Sequence, residues 1–317
     1  MTEVKESAKG TMEQVPKLSL FGFLPAQALL SQFDAGLIAS PKSKEDLLKA
    51  WEASHEGISR LGPSGRSFVT PADIRDIDSN EGNPVKTLSL RLKTYSPFDS
   101  HQTAISLVRV NKLVTPQLMV NLHRLQRRAL IAKDSTLENL LEISFEPGKN
   151  PEPVIRQTIG MGPNGGALMF TSYDEDIRLH QPPLFRNLNL SEKDDRSATL
   201  ESICFPVGGG LPFAYAFKVE IHPGIFRLVL ANGIHRVASA AMAGLEFMPM
   251  ALCDLTPMEL PDQFVDAPKA MLLDPNFNAP IISDFANEQV AIKLSHYRQL
   301  RTVRFNWNFE QYAVGLR

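Results

Sequence analysis

The residues most suggestive of chemistry are Asn232, Gly233, His235 and Arg236, in the run Asn232-Gly233-Ile234-His235-Arg236. A glycine lets a backbone approach a ligand closely, and the first amides of a helix point outward unpaired. An arginine offers a planar charged fork, here with an imidazole beside it. Together these groups could hold a phosphate. Taken alone, Gly-x-His-Arg is a short pattern that arises by chance, and water is enough to satisfy a helix N-terminus.

The flanking elements give the pattern its context. Residues 225–231 (Ile-Phe-Arg-Leu-Val-Leu-Ala) read as a strand that runs directly into the turn. Residues 237–244 are alanine-rich and end on Gly244, which suits a short helix and its C-terminal cap. Residues 247–252 (Phe-Met-Pro-Met-Ala-Leu) read as a returning strand. The unit is therefore strand, tight turn, helix, strand.

This unit resembles the ParB/sulfiredoxin superfamily, in which a Gly-x-x-Arg or Gly-x-His-Arg turn before an alanine-rich helix grips nucleotide phosphates. The likeness spans residues 219–255. A fainter one lies at 107–117, where Leu-Val-Arg-Val-Asn-Lys-Leu-Val-Thr-Pro-Gln is similar to the strand and corner that open that fold. The resemblance implies an α/β (α+β) fold with a mixed sheet over residues 84–256 and a long insertion at about 146–213. It also implies a nucleotide or other phosphorylated ligand at Asn232, Gly233, His235 and Arg236, with a nucleoside triphosphate and Mg as the cofactor.

Two departures narrow the implied chemistry. The reactive cysteine of sulfiredoxins stands between the glycine and histidine of the turn, a place held here by Ile234, so sulfinic-acid reduction is not expected. Partition proteins follow this domain with a helix-turn-helix, and no paired-helix pattern follows Leu255. DNA contact would then fall to the helical pattern at 117–132, where Leu118, Leu122, Leu125 and Ala129 mark one face and His123, Arg124, Arg127 and Arg128 surround it. The alternatives are a non-catalytic structural or assembly protein with a degenerate ParB-like fold and, third, a small-molecule kinase or nuclease.

Other motifs carry less. Gly160-Met161-Gly162-Pro163-Asn164-Gly165 matches GxGxxG, but it contains a proline and precedes strand-like residues 167–173, which marks a hairpin loop. Gly208-Gly209-Gly210 reads as a connector. Asp174, Glu175 and Asp176 could offer oxygens to a divalent cation but read first as an exposed strand end. The histidines have no metal-ligand spacing, so no metal site is expected. Cys204 and Cys253 are expected to be buried, inert thiols, and no Gly-x-Ser-x-Gly elbow is present.

The balance of 33 Lys and Arg against 35 Asp and Glu, net −2, gives no global attraction to nucleic acid. No apolar run approaches the roughly 20 residues that span a bilayer, and no secretory or transit signal opens the chain, so no membrane association and a cytoplasmic location are expected. Along the chain, residues 1–16 read as a disordered tail and 17–62 as a helical segment, with helices at 26–33 and 43–56 joined at 36–41. Residues 84–95 and 103–110 read as strands. A C-terminal extension, 257–317, should hold a helix near 284–293 and a strand at 302–307. The sequence selects neither a reaction nor an oligomeric state.

Overall fold

A computed structural model describes residues 13–62, 64–77, 84–93, 98, 100–132, 135–145, 155–162, 165–172, 178–179, 184–188, 200–204, 207–208, 213–260 and 266–308. Helices and strands mix without regular alternation, an α+β arrangement. The chain divides into two compact units, one of Met1–Glu146 with Pro212–Arg298 and one of Pro147–Leu211 with Gln299–Arg317.

The first unit begins with β1 (Gln14–Ser19), α1 (Ala26–Asp34), β2 (Ile38–Ser40) and α2 (Lys44–Ser59). Helix α2 starts where the Ser43 hydroxyl accepts the Asp46 amide, and Glu45 and Asp46 add negative charge to its first turn. The indole of Trp51 donates to Leu24 O and locks α2 onto the turn before α1. Then come β3 (Ile74–Asp76), α3 (Pro84–Leu92), β4 (Thr103–Arg109), β5 (Leu113–Val114), β6 (Met119–Asn121), α4 (Leu122–Ala132) and α5 (Leu137–Phe145).

The second unit holds β7 (Ile155–Gly162), β8 (Gly165–Ser172), β9 (Arg178–Leu179), β10 (Leu184–Leu188), β11 (Leu200–Cys204) and β12 (Val207–Gly208). Its three-stranded sheet is completed by the last strand of the chain. The first unit resumes with β13 (Tyr215–His222), β14 (Ile225–Asn232), α6 (Ile234–Met242), β15 (Phe247–Leu255), α7 (Lys269–Leu273) and β16 (Ile292–Tyr297), and β17 (Arg301–Asn308) then pairs with β8.

The main sheet has the order β3-β4-β15-β13-β14-β5 and is mixed: β13 runs parallel to β15, β14 runs parallel to β5, and the remaining pairs are antiparallel. Its centre is fully buried, with Val219, Leu228, Val229, Met248, Met250 and Ala251 at 0% exposure. A second sheet, β2-β16-β1-β6, joins the two ends of the unit, with Gln14 opposite Tyr297. Among the described residues no helix is long and apolar enough to cross a membrane.

Four expectations are corrected. Residues 84–92 form helix α3, because Val85 and Leu92 turn inward at helical spacing; Leu90, which strand alternation would have placed with Leu88 and Leu92, is 64% exposed. Gln14 to Pro16 belong to β1 rather than to a tail, and residues 1–12 lie outside the described residues. The basic helix starts only at Leu122, because Met119–Asn121 pair with β1. In place of a helix at 284–293 there is a short 3-10 turn, Ile282–Ala286, and then β16. Asp284 supplies the reason: its carboxylate accepts the Ile281 amide and a bidentate pair from Arg66, which fixes a tight turn.

Candidate functional site

The expected strand, turn, helix and strand are β14, Gly233, α6 and β15. Gly233 has φ +92°, a left-handed conformation that favours glycine, and it caps α6 directly. A side chain there would also lack room, since a Cβ would lie 2.8 Å from Ala214 Cβ and 3.0 Å from Ala214 Cα. The amides of Arg236 and Val237 both return to Gly233 O, so helical bonding starts at once.

The structure brings Asn232, Gly233, His235 and Arg236 together and gives each polar side chain a partner on the backbone. Asn232 is buried and its Nδ2 donates to Phe213 O at 2.6 Å. Arg236 Nη1 donates to Ser144 O at 2.9 Å, and the same carbonyl accepts the Ala214 amide at 2.6 Å. His235 Nε2 accepts the Asn121 amide at 3.0 Å. That bond requires a neutral ring with its proton on Nδ1.

A second register line sits one turn further along, where Ser239 Oγ lies 3.0 Å from Leu125 O. Residues 121 and 125 thus face 235 and 239, so α4 and α6 run side by side in the same direction with their N-termini together. Two positive helix ends and Arg236 share one neighbourhood. Next to them is an unused polar atom: Ser144 is fully buried, and its hydroxyl has no hydrogen-bond partner among the described residues.

The basic helix is less open than its sequence suggested. His123 is exposed, but Arg124 and Arg128 are half-buried neighbours, and burial, then the charge of Arg124, lowers the pKa of Arg128. The side chain of Arg127 lies outside the described residues, as do that of Cys204, the Asp174 to Asp176 run, His180 and the tip of the 160–165 loop. Cys253 is fully buried, and burial pushes its thiol up, opposed by a hydrogen bond from Thr103. Among the described residues no three His, Cys, Asp or Glu side chains converge as a metal site.

Sequence reasoning missed a relay at the other end of β4. Ser100 Oγ lies 3.0 Å from His101 Nδ1, and His101 Nε2 lies 3.2 Å from Glu259 Oε1. In the tautomer with its proton on Nε2, the ring donates to the carboxylate and its Nδ1 accepts from Ser100. Glu259 is itself fixed by the Thr256 amide and hydroxyl, both at 2.8 Å, which with His101 hold its carboxyl down at about 2. The order of groups is hydroxyl, imidazole, carboxylate, but Ser100 is exposed and Glu259 is 45% exposed, so water competes at each step. The only trace in the sequence is Thr256-x-x-Glu259, a capping-box pattern.

Sequence reasoning also missed Arg227, the largest fully buried side chain among the described residues. It donates to Ser67 Oγ, Leu272 O and Phe277 O, and burial lowers its pKa to about 10 against the opposing charge of Asp274. Comparisons with protein-family models, with curated proteins and with solved structures return no match.

Proposed function

We propose that the chain is a structural or assembly protein that keeps a degenerate ParB-like core, in which the Gly-x-His-Arg turn serves the fold. One observation carries this reading: Asn232, His235 and Arg236 each bond the backbone of an element distant in sequence, at Phe213, Asn121 and Ser144. Such bonds satisfy groups that would otherwise be costly to bury, and each contributes about 1–3 kcal/mol. Asn232→Ala and Arg236→Ala should therefore each lower unfolding free energy by about that amount in urea titrations. Wild-type stability in both variants, together with loss of nucleoside triphosphate binding, would overturn the reading.

A second reading is a phosphate or nucleotide site at the same residues, with Mg and modest, non-specific DNA contact through α4. It is supported by the left-handed Gly233, the paired helix N-termini and the buried Ser144 hydroxyl, which has no partner among the described residues. Calorimetric titration of nucleoside triphosphates with and without Mg tests it. Saturable binding that Arg236→Ala abolishes at unchanged stability would decide in its favour.

A further inference from the structure

The two units end their sheets differently. Those of the first unit end on β3 (three residues), β5 (two), β2 (three) and β6 (three), strands too short to template another. In the second unit the sheet β17-β8-β7 ends on two strands of eight residues each. Strand β17 carries Arg301 and Arg304, charges of the kind that discourage edge pairing. Strand β7 has neither proline nor lysine and a single charge, Arg156, and among the described residues it pairs with β8 alone. Residues 155–158 are exposed, Ile155 at 57%. The open row of N–H and C=O groups along such an edge is met by water or by another strand.

We propose that β7 pairs antiparallel with β7 of a second copy of this chain, about a twofold axis at Gln157. The inference rests on the assembly reading and deepens it by naming the partner and the surface. The regular part of β7 ends at Ile159, since its pairing with β8 shifts register between Ile159 and Gly162. An axis at Gln157 sets Ile155 opposite the partner's Ile159, Arg156 opposite the partner's Thr158, and Gln157 opposite the partner's Gln157. Each pair is compatible. Two β-branched side chains pack across the strands, and a guanidinium faces a hydroxyl rather than its own charge. A carboxamide is donor and acceptor at once, so it can bond its own copy. An axis at Arg156 would instead set two guanidiniums face to face. One at Thr158 would set Gln157 against the partner's Ile159 and run the pairing into the irregular residues. Paired in this way, the same patch serves both copies and the assembly closes at two.

The test is the mass of the full chain by sedimentation equilibrium. Pairing over residues 155–159 buries less than the roughly 1,200 Å² of a standard interface, so the mass should rise toward two chains only over about 10 μM to 1 mM. Gln157→Glu sets two carboxylates face to face and should weaken association about tenfold. Thr158→Glu sets a carboxylate opposite the partner's Arg156 at both ends and should strengthen association about two- to tenfold, a gain that salt removes. Both positions are exposed, so neither change burdens the fold of a single chain. Crosslinking with oxidised glutathione reads the register. Gln157→Cys should give a disulfide-linked pair, whereas Arg156→Cys should give none until it is mixed with Thr158→Cys. A single-chain mass at about 1 mM, or a dimer that Gln157→Glu leaves as tight as wild type, overturns the proposal. Growth beyond two copies overturns the closed pair and indicates β7 meeting β17 of the next chain. These readouts are independent of unfolding in the Asn232→Ala and Arg236→Ala variants. A monomeric wild type whose turn variants are destabilised therefore removes this inference and leaves the reading of the turn standing.

Discussion

Replacing Gly233 by alanine separates packing from ligand contact, because the structure gives two independent costs. An L-residue at φ +92° costs about 1–2 kcal/mol in backbone strain. The added Cβ would also stand 2.8 Å from Ala214 Cβ, too close for carbon atoms, and pushing fully buried Ala214 aside adds about 1–3 kcal/mol. The expected total is about 2–5 kcal/mol. Gly244 provides the control, since its φ is +77° but nothing lies within 4 Å of its Cβ position, so Gly244→Ala should cost only the strain, about 1–2 kcal/mol. Urea unfolding followed by Trp51 fluorescence in a Trp307→Phe background reports on the first unit. The Ala214→Gly background removes the nearest atom and should recover part of the extra cost, though Ala214 Cα stays 3.0 Å away. Equal losses from Gly233→Ala and Gly244→Ala, to within about 0.5 kcal/mol, would refute the packing argument.

Asp284→Ala should destabilise the first unit by about 3–5 kcal/mol in the same assay, because Asp284 is 3% exposed and its loss removes the carboxylate partner of Arg66 and the acceptor of the Ile281 amide. The Glu259 carboxyl should titrate at about 2 by NMR, and Thr256→Val, which removes the hydroxyl donor, should raise that value. Since its folded pKa is depressed, Glu259 stabilises the fold above its ordinary pKa of about 4.3, and that contribution is lost as pH falls through about 2. Duplex DNA should show no salt-dependent binding at low ionic strength; a log–log slope of about −3, abolished by changing Arg124, Arg127 and Arg128 to Gln, would establish α4 as a contact face.

How much of this was legible depended on whether the signal was local. The pattern around β14, α6 and β15 could be read because a mostly apolar run, a glycine and an alanine-rich stretch each act on their own neighbours. Helices α1 and α2 were legible for the same reason. Residues 84–92 misled because Leu88, Leu90 and Leu92 fit a strand while Val85, Leu88 and Leu92 fit a helix, and tertiary packing chose the second. Strands β1, β6 and β16 are short and exist only through partners far along the chain, as Gln14 opposite Tyr297 illustrates. The residues of the turn were identifiable, but their partners Phe213, Asn121 and Ser144 were not, because topology alone brings them there.

Five cations among the described residues share one task that composition conceals. Arg236 donates to Ser144 O, Arg227 to Leu272 O and Phe277 O, Arg66 to Ala279 O, Lys112 to Arg66 O and Lys269 to Leu260 O. Three of these six acceptors, Phe277, Ala279 and Leu260, lie in irregular segments, and the other three lie in short helices. A chain with 23 prolines carries that many residues with a carbonyl and no N–H, so its loops hold more acceptors than donors. Buried carbonyls need partners, and side-chain cations that reach in from neighbouring elements supply them. An arginine after a glycine turn therefore has two physical explanations in such a sequence, a ligand's phosphate or the chain's own carbonyls. Five other bonds of this kind among the described residues support the second explanation for Arg236.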